Sequence, residues 1–433
     1  MPREMIQMQQ TICLILLVLV AVSFCKEVIP SALTSMIVVV ALIFSGILTP
    51  EEALAGFSNN TVILFASVFV IAAALNKTDF VKICGKILYN YKGSERSMIL
   101  AVMIVTGCLS ALFSTTGLVA LMLPVVLSIC KSTGYKRSHL LLPMAIAGSL
   151  GGGILILGGA PNSAIYASLE NLGIGLSFSF FDMPKVGLPL TLIAILYTGL
   201  IGWRFLPDRT PEDESQGTET SAEALFAAPS EPRHRQYITY AITVLTILAM
   251  IFEKQLGVKL YLSALTGAIL IMLCRCLTEK EAITGIKWQT LIMFAGILSL
   301  SKALTKTGTA QLIANFVISI AGGSKNQYLI TGLVFLVSML LTQMMSNTAA
   351  ISLLCPLAAS IGVGLGADPR ALIMAAAGGA SASLCTPIAT PAMAMIYDVG
   401  GYKSIDYIKY SSVICVILLV FSAFYLPTLW PLF

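Results

Sequence analysis

Two short polar triplets interrupt otherwise apolar stretches of the chain, Ser114-Thr115-Thr116 and Ser346-Asn347-Thr348. Each is followed by a segment that a helix cannot run through smoothly: Gly158-Gly159-Ala160-Pro161-Asn162 after the first, and Ala389-Thr390-Pro391-Ala392-Met393 after the second. Proline and glycine there unwind the chain and free backbone groups for coordination. No Asp, Glu, Lys or Arg lies in either triplet or near either break, since Glu170 and Asp398 come later. A carboxylate relay for protons is therefore not visible, and a cationic solute would lack its counter-charge. What remains is hydroxyls, an amide and the N-termini of half-helices, whose free N–H groups and dipoles favour an anion. Unwound carbonyls can hold a sodium ion beside it.

A plainer reading competes. Ser and Thr at such positions can simply cap the next helix, and polar side chains can hold helices together. Two triplets and two breaks in matching order favour a ligand site over capping alone, and Asn347 is the side chain most expected to touch ligand or ion. Pro124 and Pro356 read as kinks. The runs Gly148–Gly153 and Gly378-Gly379-Ala380 read as close helix contacts, and no G-K-[ST] follows either to make a phosphate loop.

The elements that position these residues belong to a membrane. The chain of 433 residues is 57% hydrophobic and only 11% charged, with a mean hydropathy of +0.90. Soluble domains are about a quarter charged, so a water-soluble enzyme is excluded and an all-α polytopic membrane protein is implied. The net charge of +5 reports topology, not nucleic acid. Ten cysteines lie scattered in apolar runs, and the two histidines, His139 and His234, form no zinc-like pattern with them. Residues 11–25 are apolar with no A-x-A-like site after them, which reads as a first span, not a signal peptide.

Apolar runs suited to crossing a bilayer fall near 9–27, 29–48, 60–76, 186–205, 237–252, 260–276, 290–304 and 409–429. Four others, 97–130, 140–169, 327–362 and 371–400, are interrupted by Gly, Pro, Ser, Thr or Asn. In hydrocarbon, such backbone survives only when buried in protein or lining a cavity. The expectation is about ten transmembrane helices plus two re-entrant hairpins, 97–130 and 327–362, and two broken helices, 140–169 and 371–400.

The chain also repeats itself. Leu48–Thr78 aligns without gaps to Leu277–Thr307, and the triplets, Pro124 with Pro356, and Gly134 with Gly366 follow at offsets of 229 to 232 residues. Residues 1–206 and 237–433 thus read as two repeats, joined by an acidic, Ser/Thr/Pro-rich solvated linker at 207–236. Eight basic residues flank the first hairpin (Lys77 to Arg96, then Lys131 to Arg137) against Lys306, Lys325 and Arg370 around the second. By the positive-inside rule the first hairpin enters from the cytoplasm and the second from outside, so the repeats are inverted. The linker is then cytoplasmic and both termini lie outside. Phe80, Ile83, Cys84, Ile87 and Leu88, and later Leu312, Ile313, Phe316, Val317 and Ile320, read as amphipathic helices lying in the interface. Trp203, Trp288 and Trp430 sit where interfacial anchors would. Paired discontinuous segments in inverted halves point to a transporter site near the midplane.

Ser346-Asn347-Thr348 resembles the SNT hairpin signature of the divalent anion–sodium symporter family, within the ion transporter superfamily, and 50–79 resembles its first-repeat span. The resemblance covers nearly the whole chain. It implies a homodimer of scaffold and transport domains that carries di- or tricarboxylates or sulfate, usually with sodium, by elevator-type movement; some members are exchangers. It implies that Ser114, Thr115, Thr116, Asn162, Ser346, Asn347, Thr348, Thr390 and Pro391 face substrate. Sodium, the expected coupling ion, would lie by Ser114, Thr115, Gly158, Gly159, Ser346, Asn347, Ala389 and Thr390. The chain departs from the family pattern at Thr115, where the family has Asn, and at Gly159, where it commonly has a hydroxyl. Ala389, Ala392 and Met393 replace Gly, Pro and Asn. The resulting expectation is a sodium-coupled secondary transporter of small organic dianions, C4-dicarboxylates first. The rival is sodium-independent exchange, or transport of sulfate or a tricarboxylate. Two remote alternatives are a membrane-embedded enzyme, which would need a nucleophile, base or metal ligand that neither break supplies, and an anion channel, which fits the polar tips slightly better than the enzyme does. No cofactor and no nucleic acid partner are expected.

Overall fold

A computed structural model describes residues 3–26, 29–159, 162–209, 232–320, 326–387 and 390–433. Ala160, Pro161, Ala389 and most of the linker expected at 207–236 lie outside the described residues. Among the described residues there is no strand. The first half runs α1 (Arg3–Lys26), α2 (Ser31–Phe44), α3 (Pro50–Leu54), α4 (Asn60–Asn76), α5 (Phe80–Asn90), α6 (Glu95–Ser110), α7 (Thr115–Thr133), α8 (Arg137–Gly151), α9 (Asn162–Glu170) and α10 (Asp182–Leu200). The second runs α11 (Arg233–Ile251), α12 (Glu253–Leu256), α13 (Leu260–Leu273), α14 (Glu279–Gly285), α15 (Trp288–Lys306), α16 (Thr309–Ile320), α17 (Gln327–Thr342), α18 (Asn347–Gly364), α19 (Arg370–Ser381), α20 (Pro391–Met395) and α21 (Ser404–Leu429).

Among the described residues, six helical stretches are long and apolar enough to cross a membrane: Met5–Lys26, Pro50–Asn76, Thr115–Thr133, Asp182–Leu200, Asn347–Gly364 and Ser404–Leu429. A seventh forms if α14 and α15, bent by 52° at their junction, count as one span; α2, α13 and α17 are shorter apolar helices. Leucines and valines stay outward on several of them, such as Val18, Leu19, Leu196 and Val416, each more than half exposed, as lipid-facing positions must be. The protein is a multi-pass, all-α membrane protein.

Local chemistry explains where helices begin. Thr49 caps α3 and receives Glu52 in return, and Thr278 does the same with Glu281 at α14. These reciprocal caps satisfy two otherwise orphaned N–H groups each. The same two glutamates then reach into the opposite half: Glu52 pairs with Lys306 at 2.6 Å and Glu281 with Lys77 at 2.6 Å. Partly exposed pairs of this kind are worth at most about 1 kcal/mol each, so they fix relative position more than they stabilise.

Helix contacts run in matched sets. α6 packs on α8 as α17 packs on α19, and α10 covers α6 and α8 as α21 covers α17 and α19. Between halves, α2 packs on α15 and α13 on α4. The innermost helices are α8 and α19, buried without interruption over Leu140–Gly151 and Ala371–Ala380. Their small residues permit that depth. A Cβ on Gly151 would sit 2.4 Å from the Gly107 carbonyl oxygen, and one on Gly379 the same distance from that of Phe335. The glycine runs are indeed close backbone contacts. The first amphipathic segment is α5, whose Val81, Gly85 and Leu88 are buried while Ile83 and Ile87 stay exposed. Its apolar stripe is thus shared between the protein and the surroundings.

Candidate functional site

α6 and α7 form a hairpin whose tip joins 111–114 to the first turn of α7 at Thr115 and Thr116, and α17 and α18 one whose tip joins 343–346 to the first turn of α18 at Asn347 and Thr348. Both tips are tied to the inner helices by matching side chains. Ser110 Oγ donates to the Gly148 carbonyl oxygen at 2.6 Å, and Thr342 Oγ1 to that of Ala380 at 3.4 Å. Gln343 adds a second tether, donating to the Ala382 oxygen at 3.3 Å while its own Oε1 accepts from the Cys385 N–H at 3.1 Å.

The unwound stretches are longer than the sequence suggests. α8 ends at Gly151, and only a 3-10 turn at Ile156–Gly158 intervenes before α9; α19 ends at Ser381, and α20 begins only at Pro391. Chain leaves the helix at Gly152 and Ala382, upstream of the expected breaks. Gly158 packs backbone on backbone, for a Cβ there would lie 2.5 Å from the Ser110 oxygen and 2.6 Å from that of Gly152.

Both tips and both breaks line one cavity of about 100 Å³. Ser114, Thr115, Thr116, Gly158, Gly159 and Asn162 come from the first half, and Asn347, Thr348, Thr390 and Pro391 from the second. α7, α9, α18 and α20 all start at this cavity. The first N–H groups of a helix have no intrahelical partner, so these starts bring backbone donors to the cavity, although those of Ala349 and Met393 are already met by side chains. The helix dipoles make the cavity attractive to negative charge.

The individual side chains divide into free and committed groups. The Asn347 Oδ1 and the Ser149 hydroxyl are buried with no hydrogen-bond partner. An unmet buried acceptor costs about 1–3 kcal/mol, a cost that a cation would relieve. Ser114 makes no side-chain cap bond to α7. Other hydroxyls are in use: Ser346 Oγ accepts from the Ala349 N–H at 3.4 Å and Thr390 Oγ1 from the Met393 N–H at 3.3 Å. Capping is thus part of what these residues do, and Ser346 is not among the residues lining the cavity. Thr115 Oγ1 donates to the Gly148 oxygen at 3.2 Å. Asn162 spends both amide protons on the Gly152 and Leu155 oxygens, at 2.6 and 2.8 Å, bracing the first break. Ala389 lies outside the described residues.

Six lining residues were not among the site residues expected from the sequence: Ser149, Gly152, Gly153, Lys287, Ser381 and Ala392. Ser149 and Ser381 stand at the same offset as the two triplets, so the repeat itself carried that signal. Lys287 carried none. It arrives from the bend between α14 and α15, far in sequence from either hairpin, and is the one charged residue among those lining the cavity.

The sequence profile of the citrate transporter family matches residues 15–379 and again 247–432. The chain belongs to this family. It is similar, at 28% identity over 94% of its length and 89% of the relative's, to an uncharacterized transporter of Haemophilus influenzae. It is likewise 28% identical to the sodium-dependent dicarboxylate transporter SdcS of Staphylococcus aureus, over 88% of this chain and 78% of that one. Membership of the ion transporter superfamily, read from the SNT hairpin, follows, and the protein is a transporter, not an enzyme. Among solved structures, the YdaH transporter of Alcanivorax borkumensis is similar with a TM-score of 0.60 at 12% identity, covering 98% of both chains. MtrF of Neisseria gonorrhoeae, titled as illuminating a class of antimetabolite efflux pumps, has a TM-score of 0.61 at 14% identity, with 96% of this chain and 94% of that one covered. At that identity the likeness is one of fold.

Proposed function

We propose that this citrate transporter family member is a secondary active transporter of small organic dianions, C4-dicarboxylates first, driven by sodium. One observation carries the reading. Four helix starts and two hairpin tips surround a single cavity whose lining holds no carboxylate and one lysine. Such a lining attracts an anion and would repel no part of it. The unpaired Asn347 Oδ1 and the carbonyls of the unwound stretches offer oxygen ligands for a sodium ion moving with it. The name of the S. aureus relative, a sodium-dependent dicarboxylate transporter, favours the same substrate and ion.

The inverted-repeat reading of 1–206 and 237–433 is supported by the exchange of contacts between halves, above all the crossed pairs Glu52–Lys306 and Glu281–Lys77. Two halves related in this way can swap conformations and so expose the cavity to alternate sides. In an elevator-type cycle, the hairpins with α8–α10 and α19–α21 would move against α1–α4 and α11–α15. The homodimer belongs to the same proposal.

A specific observation supports sodium-independent exchange as the second reading. Thr115 stands where the family pattern has Asn, and its hydroxyl is tied to the Gly148 carbonyl by the proton it donates, so the first tip has no side-chain amide to match that of Asn347. The deciding experiment is radiolabelled succinate uptake into proteoliposomes. Accumulation in empty vesicles under an inward sodium gradient supports symport. Uptake indifferent to sodium and requiring preloaded succinate supports exchange, and no saturable uptake of any di- or tricarboxylate or of sulfate overturns both.

A further inference from the structure

Lys287 sits between two helices and belongs to neither. Its backbone angles, φ −81° and ψ 77°, with the Trp288 N–H donating to the Ile286 oxygen at 3.0 Å, are those of an inverse γ-turn. The turn accommodates the 52° bend between α14 and α15 and places Lys287 on the cavity with both hairpin tips. Its side chain is exposed and forms no ion pair or hydrogen bond among the described residues. The acid six residues earlier, on α14, is engaged elsewhere. Glu281 holds Lys77 at 2.6 Å and closes the cap of α14 by accepting from the Thr278 N–H at 2.9 Å. The residue at the corresponding place in the first half is Ser58, which is neutral and does not line the cavity. The fixed charge is therefore supplied from one half alone.

We infer that Lys287 sets the valence of the transported anion. The inference rests on the anion reading of the cavity and assigns a role within it. The neutral tips and helix starts can hold one carboxylate by backbone N–H groups and hydroxyls, in the manner of a helix-terminus anion site. A second carboxylate brought into the same small cavity adds like charge beside the first, and a counter-charge within a few ångströms offsets that repulsion. The Lys287 ammonium is the group present to supply it. A compact, rotatable ammonium on a four-carbon stem tolerates several dianion shapes, so the selection is by charge more than by outline.

The test is binding of anions of graded charge to the purified full chain in detergent, read as ligand-induced thermal stabilisation. Acetate carries one negative charge at neutral pH, succinate two and sulfate two on a different frame. Wild-type protein is expected to bind succinate and sulfate more tightly than acetate. Lys287→Gln should weaken both dianions at least about tenfold, a change of about 1.4 kcal/mol, with acetate little altered. Lys287→Arg keeps the charge and should keep the preference, which also guards against misfolding of the glutamine variant. Unchanged dianion affinity in Lys287→Gln, or equal loss of all three anions that Lys287→Arg does not rescue, would overturn the inference while leaving the cavity an anion site. Failure of the wild type to bind any of the anions would overturn the functional reading as well.

Discussion

Asn347 makes the sharpest demand on the account, because its role in the empty protein and its role with substrate predict opposite effects of one substitution. Its Oδ1 is buried with no partner, so the empty protein carries a desolvation cost of about 1–3 kcal/mol at that atom. Asn347→Ala removes the atom and the cost together. Thermal stability of the ligand-free variant should therefore equal or slightly exceed that of the wild type. With sodium bound the same oxygen gains a charged partner, worth about 1.5–3 kcal/mol, or about 10- to 150-fold in the affinity for sodium and for the substrate that binds with it. At a ligand concentration of about 100 times the wild-type Kd, bound ligand stabilises the wild type by about 2.7 kcal/mol; a variant with a Kd 100-fold weaker keeps only about 0.4 kcal/mol. Thermal unfolding of both proteins in detergent, with and without succinate and sodium, measures all four numbers. A ligand-free variant that is clearly less stable, yet shows the full wild-type gain on adding ligand, would refute the reasoning and make Asn347 a structural amide.

Other substitutions test neighbouring parts of the site. Gly158→Ala must push a Cβ against two backbone oxygens at 2.5 and 2.6 Å, neither of which can rotate away. It should cost about 1–3 kcal/mol, read as a lower unfolding temperature; wild-type stability would mean the first break is loosely packed. Thr115→Asn replaces a hydroxyl tied to Gly148 with an amide that can offer its oxygen to an ion, so sodium dependence of uptake should appear or strengthen. If uptake of that variant responds to sodium as the wild type does, the first tip does not govern coupling. Glu281→Gln and Glu52→Gln each break one crossed pair and should cost at most about 1 kcal/mol alone, seen as small, similar losses of thermal stability in low salt that shrink as salt rises. A loss of several kcal/mol from either would show that the pair does more than align the halves.

Much of the fold was legible because membrane helices announce themselves locally. The apolar runs at 60–76, 186–205 and 409–429 became α4, α10 and α21 with ends shifted by a few residues, since hydropathy marks the hydrocarbon segment and the caps decide where the helix stops. The triplets were legible because polar residues between apolar arms have few reasons to exist. What failed was the distinction between a residue's position and its hydrogen-bonding duty. Ser346 and Thr390 cap helices, and Asn162 braces the chain around it. No one-dimensional pattern says whether an amide proton is spent on a carbonyl nearby. The breaks also begin earlier than proline marks them. Gly152 and Ala382 leave the helix where close packing and the tip tethers act on the backbone, which are tertiary effects. Lys287 was illegible for the same reason. A charge at a span end reads as an interfacial residue until a bend at a distant helix junction carries it onto the cavity.

The central claim is that the hairpin tips and breaks enclose the substrate. Ser381 lines the cavity and bonds only back along its own helix, to the Ala377 oxygen at 3.0 Å, so Ser381→Cys places a small reporter thiol there with little disturbance. Alkylation at that position by a water-soluble maleimide, resolved from the native cysteines by mass spectrometry, is the direct measurement. The account predicts that succinate slows this labelling in proportion to its occupancy, with labelling of the exposed Cys274 unaffected. Labelling that saturating succinate leaves unchanged, in a variant that still transports succinate, would place the substrate elsewhere.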